Sequence, residues 1–185
     1  FGAGFLMAVA HGPYTTFFSI YLVEHGYAKS SVGMLWTLGV VCEIGVFFVM
    51  PWLMRHYSLP QILMVSLALA ALRFLLIGWQ VDTLWLLLFA QVLHAASFGS
   101  FHAAAVALVH HFFRGRHQSR GQALFGSVTY GAGGMLGGLL SGPLWLHWGS
   151  SVMYSFSAGA ALLGLGLMWW KLRRVELVQE QGGVD

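Results

Sequence analysis

Charged residues are scarce in this chain: Asp, Glu, Lys and Arg make up 8% of its 185 residues, against 58% hydrophobic. A soluble domain of this size could not cover its surface with so little polarity, so the solvent is lipid. The nine Lys and Arg residues gather near the ends of apolar runs. No basic face with interleaved aromatics results, which excludes nucleic acid as a partner. The single cysteine, Cys42, excludes an intrachain disulfide and a multi-cysteine zinc site, and within an apolar run it reads as a small buried hydrophobe. A signal-peptide pattern is also missing, because the first apolar stretch is too long and too aromatic for a short core with a cleavage site. The sequence opens on Phe1, and the expectation is a segment of a longer protein.

What the chain does have is long hydrophobic runs. Residues 1–23, 31–54, 59–79, 84–113, 121–146 and 151–170 each lie close to the roughly 20 residues that cross a bilayer as a helix. The expected fold class is all-α, an integral membrane six-helix bundle over 1–170 with a tail at 171–185. The connections are short, so neighbouring helices form antiparallel hairpins. The second and fourth connections and the tail hold Arg55, Arg114, Arg116, Arg120, Lys171, Arg173 and Arg174, whereas the other connections hold only Lys29. The positive-inside rule then places both termini in the cytoplasm of a multi-pass protein, in a bacterium one of the inner membrane. Trp79, Trp85, Trp145, Trp148, Trp169 and Trp170 fall near span ends, as an interfacial aromatic belt would place them.

Two spans carry unusual backbone chemistry. In the first, His11-Gly12-Pro13 predicts a kink, because proline removes a donor and disfavours helical geometry in the preceding residue. His11, Tyr14, Thr15 and Phe18 surround that bend. In the fifth, Gly134, Gly138 and Gly142 recur every four residues, with Gly133 and Gly137 beside them, a stripe that lets two helices approach closely.

Glu43, Arg73 and His94 lie inside the second, third and fourth spans. An ionisable side chain there costs a few kcal/mol unless it is paired or wet, and intramembrane charges mark function by default. Burial favours a protonated Glu43 and approach of Arg73 an ionised one, so a motion that changes their separation would load or release a proton. The alternative is a static Glu43–Arg73 pair that fixes packing. On the fourth span, Gln91, His94, Phe98 and His102 follow three- and four-residue steps along an inward face. His94 is the better site candidate, and His102, among alanines, suits a helix-to-helix hydrogen bond.

His94, His102 and His110 repeat every eight residues, a separation of about 12 Å and about 80° of rotation, so no two share one ion. No metal and no cofactor are expected. An intramembrane serine protease would need a Gly-x-Ser-Gly arrangement, and Ser141-Gly142 is preceded by Leu139-Leu140, so no enzymatic activity is expected.

Trp36-Thr37-Leu38-Gly39 with Glu43, the hairpin Arg55-His56-Tyr57-Ser58, Arg73-Phe74, and Leu93 to Gly99 (LHAASFG) with Arg120 to Leu124 (RGQAL) together resemble the C-terminal half of a major facilitator transporter. The resemblance is to the phenylpropionate permease branch, akin to lactose permease-type proton symporters, and covers nearly the whole chain. It implies helices 7 to 12 of a twelve-helix carrier whose halves rock around a central site, with an N-terminal six-helix half as partner. In such carriers the C-terminal half supplies a carboxylate on its second helix, an arginine on its third, and a histidine with a carboxylate on its fourth. Glu43, Arg73 and His94 match the first three in kind and helix, whereas no acidic residue occurs between Leu84 and Phe113. By this resemblance the chain is half of a proton-coupled symporter of a small organic solute, an aromatic carboxylate first and a sugar or nucleoside second. The proton is the coupling ion, with Glu43, Arg73 and His94 as coupling residues. His11, Tyr14, Phe18, Trp36, Gln91 and Phe98 are the candidate solute-binding wall. The competing class is a non-transporting six-helix membrane module, a homodimer or scaffold, joined through surfaces such as the glycine stripe.

Overall fold

Apolar runs without room for an unpaired backbone group must become helices in lipid, and helices joined by short turns make up the computed structural model over the residues it describes, 1–181, with side chains to Arg173. The end of the expected tail, 182–185, lies outside the described residues, as does the side chain of Arg174. Helix α1 spans Gly2–Glu24, α2 Lys29–His56, α3 Leu59–Trp79, α4 Leu84–His94 and α5 Ser100–Phe112. The first four expected spans agree with these helices to within two residues at every end. One departure lies inside the fourth span, where α4 passes into α5 through a π-helical segment, Ala95–Gly99. After a 3₁₀ turn at Gly115–His117, α6 (Gln118–Gly126) runs through a second π-helical segment, Ser127–Gly133, into α7 (Gly134–Gln181). The connection expected at 114–120 is therefore shorter, because helix resumes at Gln118.

Among the described residues, five helical stretches are long and apolar enough to cross a membrane. The last, Gly115–Arg173, has 59 residues and is interrupted at Gly149, where φ is +84°. That left-handed conformation is open to glycine at little cost. The chain reverses there. Before it, Phe125 and Thr129 lie at Gly4, Gly137 at Val9 and Trp145 at Phe17; after it, Tyr154 lies at Tyr21 and Leu167 at Gly2. One limb thus runs parallel to α1 and the next returns antiparallel to it. The expected 147–150 connection reduces to a turn centred on one residue.

Contact with α1 explains the glycines, with a correction of register. Pro13 has no N–H, so it leaves the Val9 carbonyl without its helical donor. Gly137 sits against that oxygen, and a Cβ at Gly137 would overlap it. Gly133 faces Phe5 O and Ala8 in the same way, and a Cβ at Gly12 would overlap the backbone at Gly137 and Gly138. The close-packing stripe is therefore Gly133 and Gly137, and its partner lies within this chain. Nothing lies within 4 Å of a Cβ at Gly134 or Gly142, and Gly138 meets only Thr16 Oγ1 at 3.4 Å. The 134/138/142 spacing has the right period and the wrong phase.

Helix ends follow ordinary capping chemistry. Ser58 and Gln61 form a reciprocal capping box at the start of α3. Arg114 Nε donates to His111 O at 3.3 Å near the end of α5, and Gln122 Nε2 donates to Val106 O at 2.9 Å, tying α6 to α5. At the opposite end Tyr27 Oη donates to Val81 O at 2.7 Å, linking the α1–α2 and α3–α4 turns. Burial and the Asp82 carboxylate hold the Tyr27 phenol above its ordinary value, which keeps it a donor.

The core lies between α1, α3 and the two limbs of α6–α7, and α2 stays at the margin. Val40, Val41, Ile44, Phe47, Phe48 and Val49 are exposed along it. A helix so apolar and so little covered faces lipid or a further protein surface.

Candidate functional site

A buried guanidinium without a carboxylate is costly unless other groups receive it. Arg73 on α3 has no exposed surface. Its Nη1 donates to His11 Nε2 at 3.2 Å, and its Cζ lies 3.9 Å from the centre of the Tyr14 ring and 5.0 Å from that of Phe74. His11 Nδ1 in turn donates to Met7 O at 2.9 Å, so the two neighbours fix which ring nitrogen carries the hydrogen. Tyr14 Oη donates to Gln91 Oε1 at 2.9 Å. Gly39 on α2 permits this layer to close, since a Cβ there would come 3.1 Å from Gln91 Oε1. His94 ends α4 with its ring 5.5 Å from Tyr14 and stacked on Phe98 at 5.3 Å.

The sequence candidates therefore do converge. His11, Tyr14, Phe18, Trp36, Arg73, Gln91, His94 and Phe98 form one chain of ring contacts and hydrogen bonds across α1, α2, α3, α4 and the π-helical segment after it. Phe18 is fully buried against Tyr14 and Trp36, and Trp36 Nε1 donates to Ser19 Oγ at 3.0 Å. Among the described residues, four polar atoms of this cluster lack a hydrogen-bond partner: Arg73 Nε and Nη2, Gln91 Nε2 and His94 Nδ1. Three are donors, and each orphan costs about 1–3 kcal/mol.

Glu43 stands apart from Arg73. Among the described residues it makes no ion pair and no hydrogen bond, and its side chain backs onto Gly99, where a Cβ would lie 3.0 Å from Glu43 Cγ. The static Glu43–Arg73 pair is not formed; Arg73 is held by His11 and Tyr14. Glu43 instead opens on a groove of about 450 Å³, whose apolar wall includes Val40, Ile44 and Phe47 and whose far side is His102 and Tyr130. His102 Nδ1 and Tyr130 Oη are 2.7 Å apart, the helix-to-helix hydrogen bond that suited this histidine.

Phe98 separates the two polar regions. Its ring meets His11 at 4.7 Å and His94 at 5.3 Å on one side, and Tyr130 at 6.2 Å and His102 at 6.4 Å on the other. Phe98 lies in the first π-helical segment and Tyr130 in the second. A π turn accommodates an extra residue and commonly marks a functional site. Both turns here aim an aromatic at one groove. Sequence reasoning missed Tyr130, which sits in a glycine-rich stretch read as packing. Its signal was a polar aromatic within a span, at the depth of His102.

Comparison with known proteins places these residues in context. A family model described as "MFS_1 like family" matches residues 1–158. The chain is 31% identical over 149 residues to a protein of Escherichia coli (strain K12) named "Probable 3-phenylpropionic acid transporter". That match covers 80% of this chain and 39% of the relative, so the chain spans well under half of the relative's length. No solved structure matches the chain.

Proposed function

The chain belongs to the MFS_1 like family, and we propose that it is the six-span half of a multi-pass, proton-coupled membrane carrier rather than an enzyme. The solute is a small organic acid, an aromatic carboxylate in keeping with the relative's name. The uncovered α2 face meets a complementary six-helix half, and alternating access is the rocking of the two halves about the groove between them. In this reading both termini face the cytoplasm, which the Lys and Arg distribution supports, and in a bacterium the membrane is the inner one.

One observation carries the coupling: Glu43 is the carboxylate of the middle of a described span, it is unpaired, and it faces an open groove. A carboxyl in that position takes a proton when the groove is dry and yields it when wet. Arg73, His11, Tyr14, Gln91 and His94 form the fixed polar floor behind Phe98, and a shift of α3 or α4 reaches Glu43 through Gly99.

Glu43→Gln tests this in the carrier expressed from its complete reading frame and reconstituted in liposomes. Proton-driven uptake of labelled 3-phenylpropionate is lost, while energy-independent exchange persists. A variant that still accumulates the solute against its gradient would remove Glu43 from the coupling step.

A further inference from the structure

The groove beyond Phe98 contains a pair that the coupling scheme leaves unused. His102 on α5 and Tyr130 in the second π-helical segment meet at 2.7 Å, and both line the same groove as Glu43. We propose that this pair is a proton-operated carboxylate receptor, in which protonation of His102 turns the Tyr130 hydroxyl into the groove to bind the anionic end of the solute.

The hydrogen-bond inventory gives the step. Unprotonated at Nδ1, His102 accepts the Tyr130 O–H, and Tyr130 presents only oxygen lone pairs to the groove. An incoming proton bonds to Tyr130 Oη as that oxygen's own hydrogen passes to His102 Nδ1. His102 becomes the imidazolium, Tyr130 stays neutral, and its new O–H points into the groove. Two protons move in one relay: a hydronium ion in the groove gives its proton to Tyr130 Oη and leaves as water, the former Tyr130 O–H breaks as the His102 N–H forms, and the pair gains one proton and one positive charge. In the protonated state the groove offers a cation and an outward donor, the combination that a carboxylate takes.

The neighbours fix the sign. Glu43 faces the pair from α2 across the groove. With Glu43 ionised and His102 neutral, the groove carries one negative charge and repels a carboxylate; one proton on the pair balances it. The remaining ionisable groups nearby, Arg73, His11 and His94, lie beyond the Phe98 ring. They do not line the groove. Phe98 and Phe47 do, and they supply the apolar wall against which the aromatic end of such a solute stacks. The binding and release of solute thereby follow the proton at a site distinct from the buried Arg73 cluster.

This inference rests on the transporter reading, and equilibrium binding separates the two. The purified carrier, encoded by its complete reading frame, is titrated in detergent with labelled 3-phenylpropionate and with its uncharged amide across the histidine range, about pH 5.5 to 8.5. The carboxylate binds, more weakly as pH rises by up to about tenfold per unit, and one proton is taken up per molecule bound; the amide does not bind with this profile. His102→Gln, which retains a hydrogen-bonding group for Tyr130, flattens the profile and abolishes proton uptake. Tyr130→Phe weakens the carboxylate about tenfold and leaves the amide unchanged. If His102→Gln keeps the wild-type pH profile, the receptor is overturned while the transporter reading stands. If the wild-type protein binds no aromatic carboxylate, the receptor and the solute class fall together, and proton-driven uptake of an uncharged solute would then preserve the carrier.

Discussion

Tyr14 holds the buried cluster together by two separate means. Its ring receives the Arg73 guanidinium at 3.9 Å, and its hydroxyl holds Gln91 at 2.9 Å. A desolvated cation–π contact contributes about 2 kcal/mol, and a buried amide deprived of its partner costs about 1–3 kcal/mol. Tyr14→Phe removes only the second, so thermal unfolding in detergent should show a loss of about 1–2 kcal/mol; Tyr14→Leu removes both and should lose about twice as much. Equal melting curves for the two variants would show that the ring contributes nothing. The residues themselves were legible in the sequence, because Glu43, Arg73 and His94 are ionisable groups in apolar runs. Their partners were not. Charge alone pairs Arg73 with Glu43, but the rotation of α1 and α3 brings His11 and Tyr14 to Arg73 instead, and that rotation is set by packing far along both helices.

At the scale of the element, the first four apolar runs coincide with helices, since a helix is the way such runs satisfy their backbones in lipid. The two π turns were not legible: nothing in Ala95–Gly99 marks one, and the glycines of Ser127–Gly133 read equally well as a packing stripe. The glycine register was half legible. A four-residue period identifies a stripe, but phase depends on which carbonyl across the contact lacks a donor, and Pro13 makes that the Val9 oxygen. Gly137→Ala therefore forces α1 and α7 apart and should destabilise by about 1–3 kcal/mol, as overpacked cores do. Gly159→Ala, in open space, should be neutral or stabilising by about 0.5–1 kcal/mol. Comparable melting points for the two would mean that α1 and α7 do not meet as described.

For the whole molecule, the composition fixed the solvent, and the outward face of α2 divides it. Val40 and Phe47 border the groove, whereas Phe48, 82% exposed, lies outside it. In a carrier with Cys42→Ser as background, Val40→Cys and Phe47→Cys should react with a water-soluble maleimide and be protected by 3-phenylpropionate. Phe48→Cys should remain unreactive in the bilayer. Reaction at Phe48 as fast as at Phe47 would place the aqueous path elsewhere. The reversal at Gly149 bears on how the molecule is made. With helix resuming on both sides of one glycine, no tether remains for one limb to cross the bilayer and wait for the other. The two limbs are expected to enter the membrane together, as a hairpin, against an α1 made before them.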